Sequence, residues 1–253
     1  MKPDSKVAIV TGGARGIGRS IAERLSREGR RVVVADNDEG GEEVASSIGG
    51  YFVRSDLTKT EDCHELVRKA AKKYGTVDIL VNNAGVQHVD LIKDFPERDW
   101  DRILALMLTA PFILTKGVWP MMESKRYGRI VNIASVHGLV ASPAKSAYVS
   151  AKHGLIGLTK VAALEGGGVG ITVNAVCPAY VMTDLVSGQI DRQSEIHNVP
   201  REEVLRKVFL EKAAIKRLVE PGEVAALVSF LCSDDASAIT GSAIPIDVGW
   251  LAG

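Results

Sequence analysis

Short apolar runs alternate along the chain with longer stretches in which apolar residues return every three or four positions. The runs Val7–Val10, Arg31–Asp36, Tyr51–Asp56, Ile79–Asn82, Ile130–Ala134, Ile171–Val176 and Ala243–Asp247 predict strands. Several are apolar throughout, which predicts strands covered on both faces. Between them the spacing predicts helices. One covers Arg19–Glu28 and stops at Gly29. A second runs to Tyr74, opened by a capping box from Thr58 to Glu61 and followed by Gly75. A third opens at Pro221, Gly222 and Glu223 and turns Val224, Leu227, Val228 and Leu231 to one side. Strand and helix in alternation predict an α/β fold, doubly wound, with a parallel sheet and helices on both faces. Neither an internal repeat nor a Pro-, Gly- or Ser-rich linker divides the chain, so residues 1–253 are expected to form one domain. From Thr183 to about Lys216 the alternation lapses. That polar stretch predicts one or two helices over the carboxyl edge of the sheet, where such folds bind ligands, and makes 184–216 a candidate lid.

Composition narrows the partners. The 253 residues are 46% hydrophobic and 25% charged, with 31 basic against 31 acidic side chains. A zero balance supplies no field for tracking phosphates, so no nucleic acid is expected as partner. No apolar run approaches the ~20 residues that cross a bilayer. The N-terminus also lacks an apolar signal core. A soluble, cytoplasmic protein is the expectation, with no membrane partner. Cys63, Cys177 and Cys232 have no metal-like spacing and read as small buried hydrophobes, so no metal site is expected.

Chemistry enters at the strand ends. The first strand runs into Thr11-Gly12-Gly13-Ala14-Arg15-Gly16-Ile17-Gly18, and a helix follows. Glycines there permit a tight turn and let backbone amides meet a pyrophosphate at the helix N-terminus. The second strand ends in Asp36, whose carboxylate accepts hydrogen bonds from ribose hydroxyls and repels a 2′-phosphate. Arg15 pulls the other way, but the carboxylate is the more direct determinant, so NAD is favoured over NADP. Asp56 and Leu57 close the third strand near the expected adenine position. Tyr148 and Lys152 lie one helical turn apart and share a face, and Ser135 follows the fifth predicted strand. A phenol with a pKa near 10 is a weak base at neutral pH. A neighbouring ammonium and a positive nicotinamide would favour its phenolate, and a drop of ~3 units needs about 4 kcal/mol. With Ser135 bonding the reacting oxygen, the set suits hydride transfer between an alcohol and a ketone.

Taken together, the glycine turn, Asn82-Asn83-Ala84-Gly85, Ser135 with Tyr148 and Lys152, and Pro178 through Thr183 resemble the short-chain dehydrogenase/reductase family from Lys6 to Trp250. The resemblance implies a Rossmann fold with a seven-stranded parallel sheet, in a homotetramer. It implies that Asn83, Ala84 and Gly85 line the cofactor cleft and that Lys152 also binds the nicotinamide ribose. It puts Val181 and Thr183 at the carboxamide end and counts Pro178 among the cofactor-binding residues. One position departs from the family: Met107 stands where an asparagine completes the catalytic group. Methionine keeps the main-chain carbonyl but loses the amide that fixes local helix geometry, which would lower activity or reroute the proton relay.

Within the family, the stretch His137–Lys160 is similar to the D-3-hydroxybutyrate dehydrogenases. By that resemblance Gln87, His137, Lys145 and Gln189 hold a substrate carboxylate. The aromatic side chains of Tyr180 and Trp250 are expected to wall off a methyl-sized pocket. Tyr180 replaces an expected tryptophan. The substrate so implied is a short 3-hydroxy acid or its keto acid. Two other readings remain: a reductase of a sugar or a carrier-bound 3-oxoacyl chain, and a nucleotide-binding protein that no longer turns over.

Overall fold

The computed structural model describes residues 6–253. The first half of the chain runs β1 (Val7–Thr11), α1 (Gly16–Arg27), β2 (Arg31–Asp36), α2 (Gly40–Ser47), β3 (Tyr51–Arg54), α3 (Thr60–Tyr74) and β4 (Ile79–Asn82). It continues with α4 (Glu97–Leu104), α5 (Ala110–Lys125), β5 (Gly128–Ile133), α6 (Ser146–Gly166) and β6 (Ile171–Pro178). The rest holds α7 (Asp184–Ser187), α8 (Ile190–His197), α9 (Pro221–Leu231) and β7 (Ala243–Ile246).

The strands form one parallel sheet in the order β3-β2-β1-β4-β5-β6-β7. Pleating explains why β1 is apolar at every position. Ala8 and Val10 face Ile21 and Leu25 of α1 and Val224 and Val228 of α9. Ile9 faces the opposite layer, with Leu66 of α3, Leu114 of α5 and Ala162 of α6. Each fully buried side chain of this size contributes ~1.5–3 kcal/mol. Connections reverse direction between β1 and β4, and that switch point opens a crevice at the carboxyl ends of the strands.

Helix ends follow local chemistry in most places. Gly29 (φ +87°) and Gly75 (φ +80°) take the left-handed conformation after α1 and α3. Glu220 and Glu223 close a reciprocal capping box that opens α9. The box expected from Thr58 to Glu61 does not form. The Thr58 hydroxyl instead donates to Asp56 at 2.7 Å, Asp62 accepts from the Asp56 amide at 2.7 Å, and α3 starts at Thr60. Asp56 offers Thr58 a charged acceptor two residues away, which outcompetes the helix terminus.

A second expectation also needs correcting. α4, a wider turn over Ala105–Thr109 and α5 form a continuous helical stretch, Glu97–Lys125, long and apolar enough to cross a membrane by length and composition. A criterion of uninterrupted apolar runs overlooks it, because isolated polar residues punctuate it. Ile103, Met107, Ala110, Leu114, Val118 and Met122 on this stretch are buried in the protein core.

The segment beyond Thr183 is helical, as expected: α7, α8, a short turn over Arg201–Glu203 and a wider turn over Leu205–Phe209. Its base is tied down where Val181 bridges Val219. All three cysteines are buried and unpaired, and burial pushes each thiol up to about 11 or 12.

Candidate active site

At the switch point the strand ends and the helical segment enclose a cavity of about 570 Å³. Every residue predicted for the site lines it except Gly18 and Trp250. Gly18 packs one layer back. A Cβ there would lie 2.0 Å from the Gly12 carbonyl oxygen, so its role is to let the turn fold onto the helix. Trp250, expected to wall the pocket, instead stands behind His137, with ring centres 5.6 Å apart. The chain turns back after β7, so Trp250 packs with Val136 and Leu210 beneath the wall.

One end of the cavity is built from the glycine turn. Gly12 has φ +64°, and a Cβ would meet Ala84 Cα at 2.8 Å, so a larger residue is excluded there. The Asn83 side-chain amide donates to Thr11 O at 2.9 Å and Gly12 O at 3.1 Å, stapling the β4 end to the turn. Gly16 and Ile17 bring the first amides of α1 to the wall, without a side-chain cap on that terminus. Asp36 accepts from the Ala14 amide at 3.0 Å and from the Asp38 amide at 3.0 Å, which fixes its carboxylate at the cavity edge. Arg15 is exposed and faces Asp38 at 3.6 Å. Asp56 and Leu57 lie beyond. The Thr58 hydroxyl and the Lys59 ammonium beside it hold the Asp56 carboxyl below the usual range.

The middle holds Ser135, Tyr148 and Lys152. The Ser135 hydroxyl accepts from the His137 amide at 3.1 Å and bonds Tyr148. Lys152 is buried, donates to Ile133 O at 2.6 Å, and lies 5.6 Å from the Tyr148 ring centre. Burial drives both groups toward neutrality, the phenol up and the ammonium down to about 7, while Ser135 pulls the phenol back down. The phenolate is expected from Lys152 together with a bound, positive nicotinamide; among the protein's own groups, desolvation is the largest influence on the phenol. Met107 is buried in the wide turn between α4 and α5, its methyl group set against Gly85. The helix widens there with methionine in the asparagine position.

The far end is lined by Gln87, His137, Lys145, Tyr180 and Gln189. Lys145 is only 3% exposed and donates to the Tyr180 hydroxyl at 3.1 Å. No carboxylate among the described residues pairs with it, and burial lowers its ammonium to about 8. Tyr180 stacks on Phe209, with centroids 4.4 Å apart. Burial, then the Lys145 charge, pushes the His137 imidazole down to about 3, so the ring is neutral. Gln87 Oε1 and His137 Nε2 have no partner among the described residues. Sequence reasoning missed Asn37, Arg102 and Leu106, which also line the cavity. Asn37 adjoins Asp36 and could have been found by position, whereas nothing local marks Arg102 or Leu106.

A family model described as enoyl-(acyl carrier protein) reductase matches residues 12–251. An uncharacterized oxidoreductase of Bacillus subtilis is 47% identical, with 98% of each chain covered. The D-beta-hydroxybutyrate dehydrogenase of Rhizobium meliloti is 43% identical, covering 98% of this chain and 99% of its own. The acetoacetyl-CoA reductase of Shinella zoogloeoides is 37% identical, covering 97% and 98%. A crystal structure of a single-substitution variant of actinorhodin polyketide ketoreductase with NADPH superposes with a TM-score of 0.93 at 35% identity, over 98% of this chain and 97% of that one. A parallel seven-stranded sheet with a glycine turn at its switch point defines a nucleotide-dependent oxidoreductase of the Rossmann type. The chain belongs to the short-chain dehydrogenase/reductase family, whose members use a nicotinamide cofactor. The residues present fit such a dinucleotide: the glycine cradle admits no Cβ at Gly12, and α1 offers its uncapped N-terminus to a pyrophosphate.

Proposed function

We propose that the protein is an NAD-dependent dehydrogenase interconverting D-3-hydroxybutyrate, or a close short 3-hydroxy acid, and its 3-oxo acid. Lys145 carries this reading. A buried cation with a phenol for a partner and no counter-ion among the described residues is costly to the fold, and a substrate carboxylate offsets that cost. Gln87, His137 and Gln189 line the same cavity and offer neutral hydrogen-bonding groups. A short acid offers few atoms to grip, so its charge must supply most of the orientation. Charge-assisted hydrogen bonds of ~1.5–3 kcal/mol each are strong enough to do so. The whole chain acts as one domain, with 184–216 as the helical lid over this end.

A bound nicotinamide supplies the hydride acceptor. Tyr148 takes the hydroxyl proton of the substrate, and Ser135 steadies the same oxygen by rotating its hydroxyl. A phenolate at Tyr148 and an ammonium at Lys152 stabilise each other, so the pair charges together once a further positive group lies beside it. Gly12, Gly16 and Ile17 would hold the pyrophosphate, and Asn83, Ala84, Gly85, Val181 and Thr183 the nicotinamide half.

Asp36 supports NAD over NADP, because a 2′-phosphate would meet a carboxylate already fixed by two amides. Replacing it as Asp36→Ala is expected to reduce the NAD/NADP ratio of kcat/KM by at least about tenfold, since like-charge juxtaposition costs several kcal/mol. A ratio that does not move would assign the preference to another residue. The defining experiment follows nicotinamide reduction with D- and L-3-hydroxybutyrate, each with NAD and NADP, beside oxidation with acetoacetyl-CoA. Turnover confined to the D isomer with NAD is the expected result. Preference for the thioester would replace this reading with the activity named for the 37% identical relative.

A further inference from the structure

Three of the four residues proposed to hold the carboxylate come from segments far apart in the chain, and all three segments meet at Asp90. Gln87 lies three residues before it in the loop after β4. The Asp90 amide donates to Ala144 O at 3.0 Å, and Asp90 bridges Lys145 in a parallel pair, so this loop and the Lys145 loop are stitched together. The Asp90 carboxylate, largely buried, accepts from Arg192 of α8 at 2.6 Å. Arg192 also donates to Val89 O at 3.4 Å, and Glu195 at 2.6 Å orients the guanidinium from its own helix. Gln189 immediately precedes α8, one turn before Arg192 and on the same side of the helix. His88 stands 3.8 Å from the other Asp90 oxygen.

Resting on the carboxylate clamp proposed above, we infer that Asp90 and Arg192 are positioning residues, a latch that sets α8 and its Gln189 against the loops of Gln87 and Lys145. Neither needs to touch the substrate. Replacing Asp90 leaves α8 only the longer and weaker bond from Arg192 to Val89, and replacing Arg192 removes that bond as well; in either case the clamp loses the register between its two halves. The cofactor end of the cavity draws on β1, α1 and β2 and does not depend on this contact.

The test uses Arg192→Ala, Asp90→Asn, the double variant and Arg192→Lys, with D-3-hydroxybutyrate as probe. KM for the acid is expected to rise roughly three- to tenfold in each single variant, as for a partly buried ion pair, with kcat within about twofold. The double variant should be no worse than the poorer single one, because both remove the same interaction. Arg192→Lys should recover much of the affinity, and NADH binding should be unchanged in all four. Amide hydrogen exchange over 190–197 should quicken in Arg192→Ala, a reading independent of turnover. Unchanged exchange, or an unmoved KM in Arg192→Ala, overturns the latch. Lys145→Ala separates the two levels. If it raises KM while Arg192→Ala does not, the latch alone is wrong; if neither moves KM, the clamp fails and the latch falls with it.

Discussion

Tyr148→Phe is expected to lower kcat by roughly 10²–10⁴, the range of a positioned general acid or base, with NADH affinity close to wild type. At 1.36 kcal/mol per tenfold, that corresponds to about 3–5 kcal/mol of barrier. The substitution removes one oxygen and keeps the ring that packs against the cluster of Ile103, Met107, Ala147 and Ala151. Its structural cost is the hydrogen bond to Ser135, ~0.5–1.5 kcal/mol, so the variant should fold. Steady-state kinetics with the best acid and a fluorescence titration of NADH make the comparison. The pH profile adds a second reading. The base form of Tyr148 exists only above its pKa, and its walls push that pKa up. Oxidation by the wild type should therefore climb with pH on the alkaline side of neutrality, and Tyr148→Phe should lack that limb. Near-native turnover in the variant would remove Tyr148 from the proton path.

Lys145→Ala is expected to raise KM for D-3-hydroxybutyrate by about 10- to 100-fold, the equivalent of one charge-assisted hydrogen bond of ~1.5–3 kcal/mol. A large neutral ketone, if reduced at all, should be affected little. Burial lowers this ammonium to about 8, and the sign of its pH dependence follows. The cation that receives the carboxylate is present below about pH 8 and is lost as pH rises through that value. In the wild type, kcat/KM for the acid should fall on that side once the Tyr148 limb is divided out, and Lys145→Ala should show no such fall. A KM that stays within about twofold would mean that the acid is held elsewhere, and would favour a thioester or another large substrate.

Burial adds an influence on Tyr148 that the spacing of residues does not carry. Lys152 one turn after Tyr148 suggested a depressed phenol. Sequence spacing reports that two side chains share a helix face, but not how much water either retains. In the folded protein both side chains are desolvated, which pushes the phenol up and the ammonium down. Lys145 is the same effect in another guise. A lone lysine before a helix reads as a solvated charge, and only the packed structure turns it into a buried cation.

The features legible along the chain are local ones. Glycines at 12 and 16 could only mark a turn between strand and helix, Gly29 and Gly75 the ends of helices, and Tyr148 and Lys152 one shared face. Apolar strands required cover on both sides. Each of these follows from steric or periodic constraints acting within a few residues, so they can be read without the fold. Packing of the layers produced the rest. It brought Gln87, Lys145 and Gln189 to one end of a cavity and moved Trp250 behind His137. It also paired Asp90 with Arg192 across 102 positions. Such meetings depend on the order of strands in the sheet and on which side chains lose water when the layers close. Neither quantity is encoded in the spacing of residues along the chain.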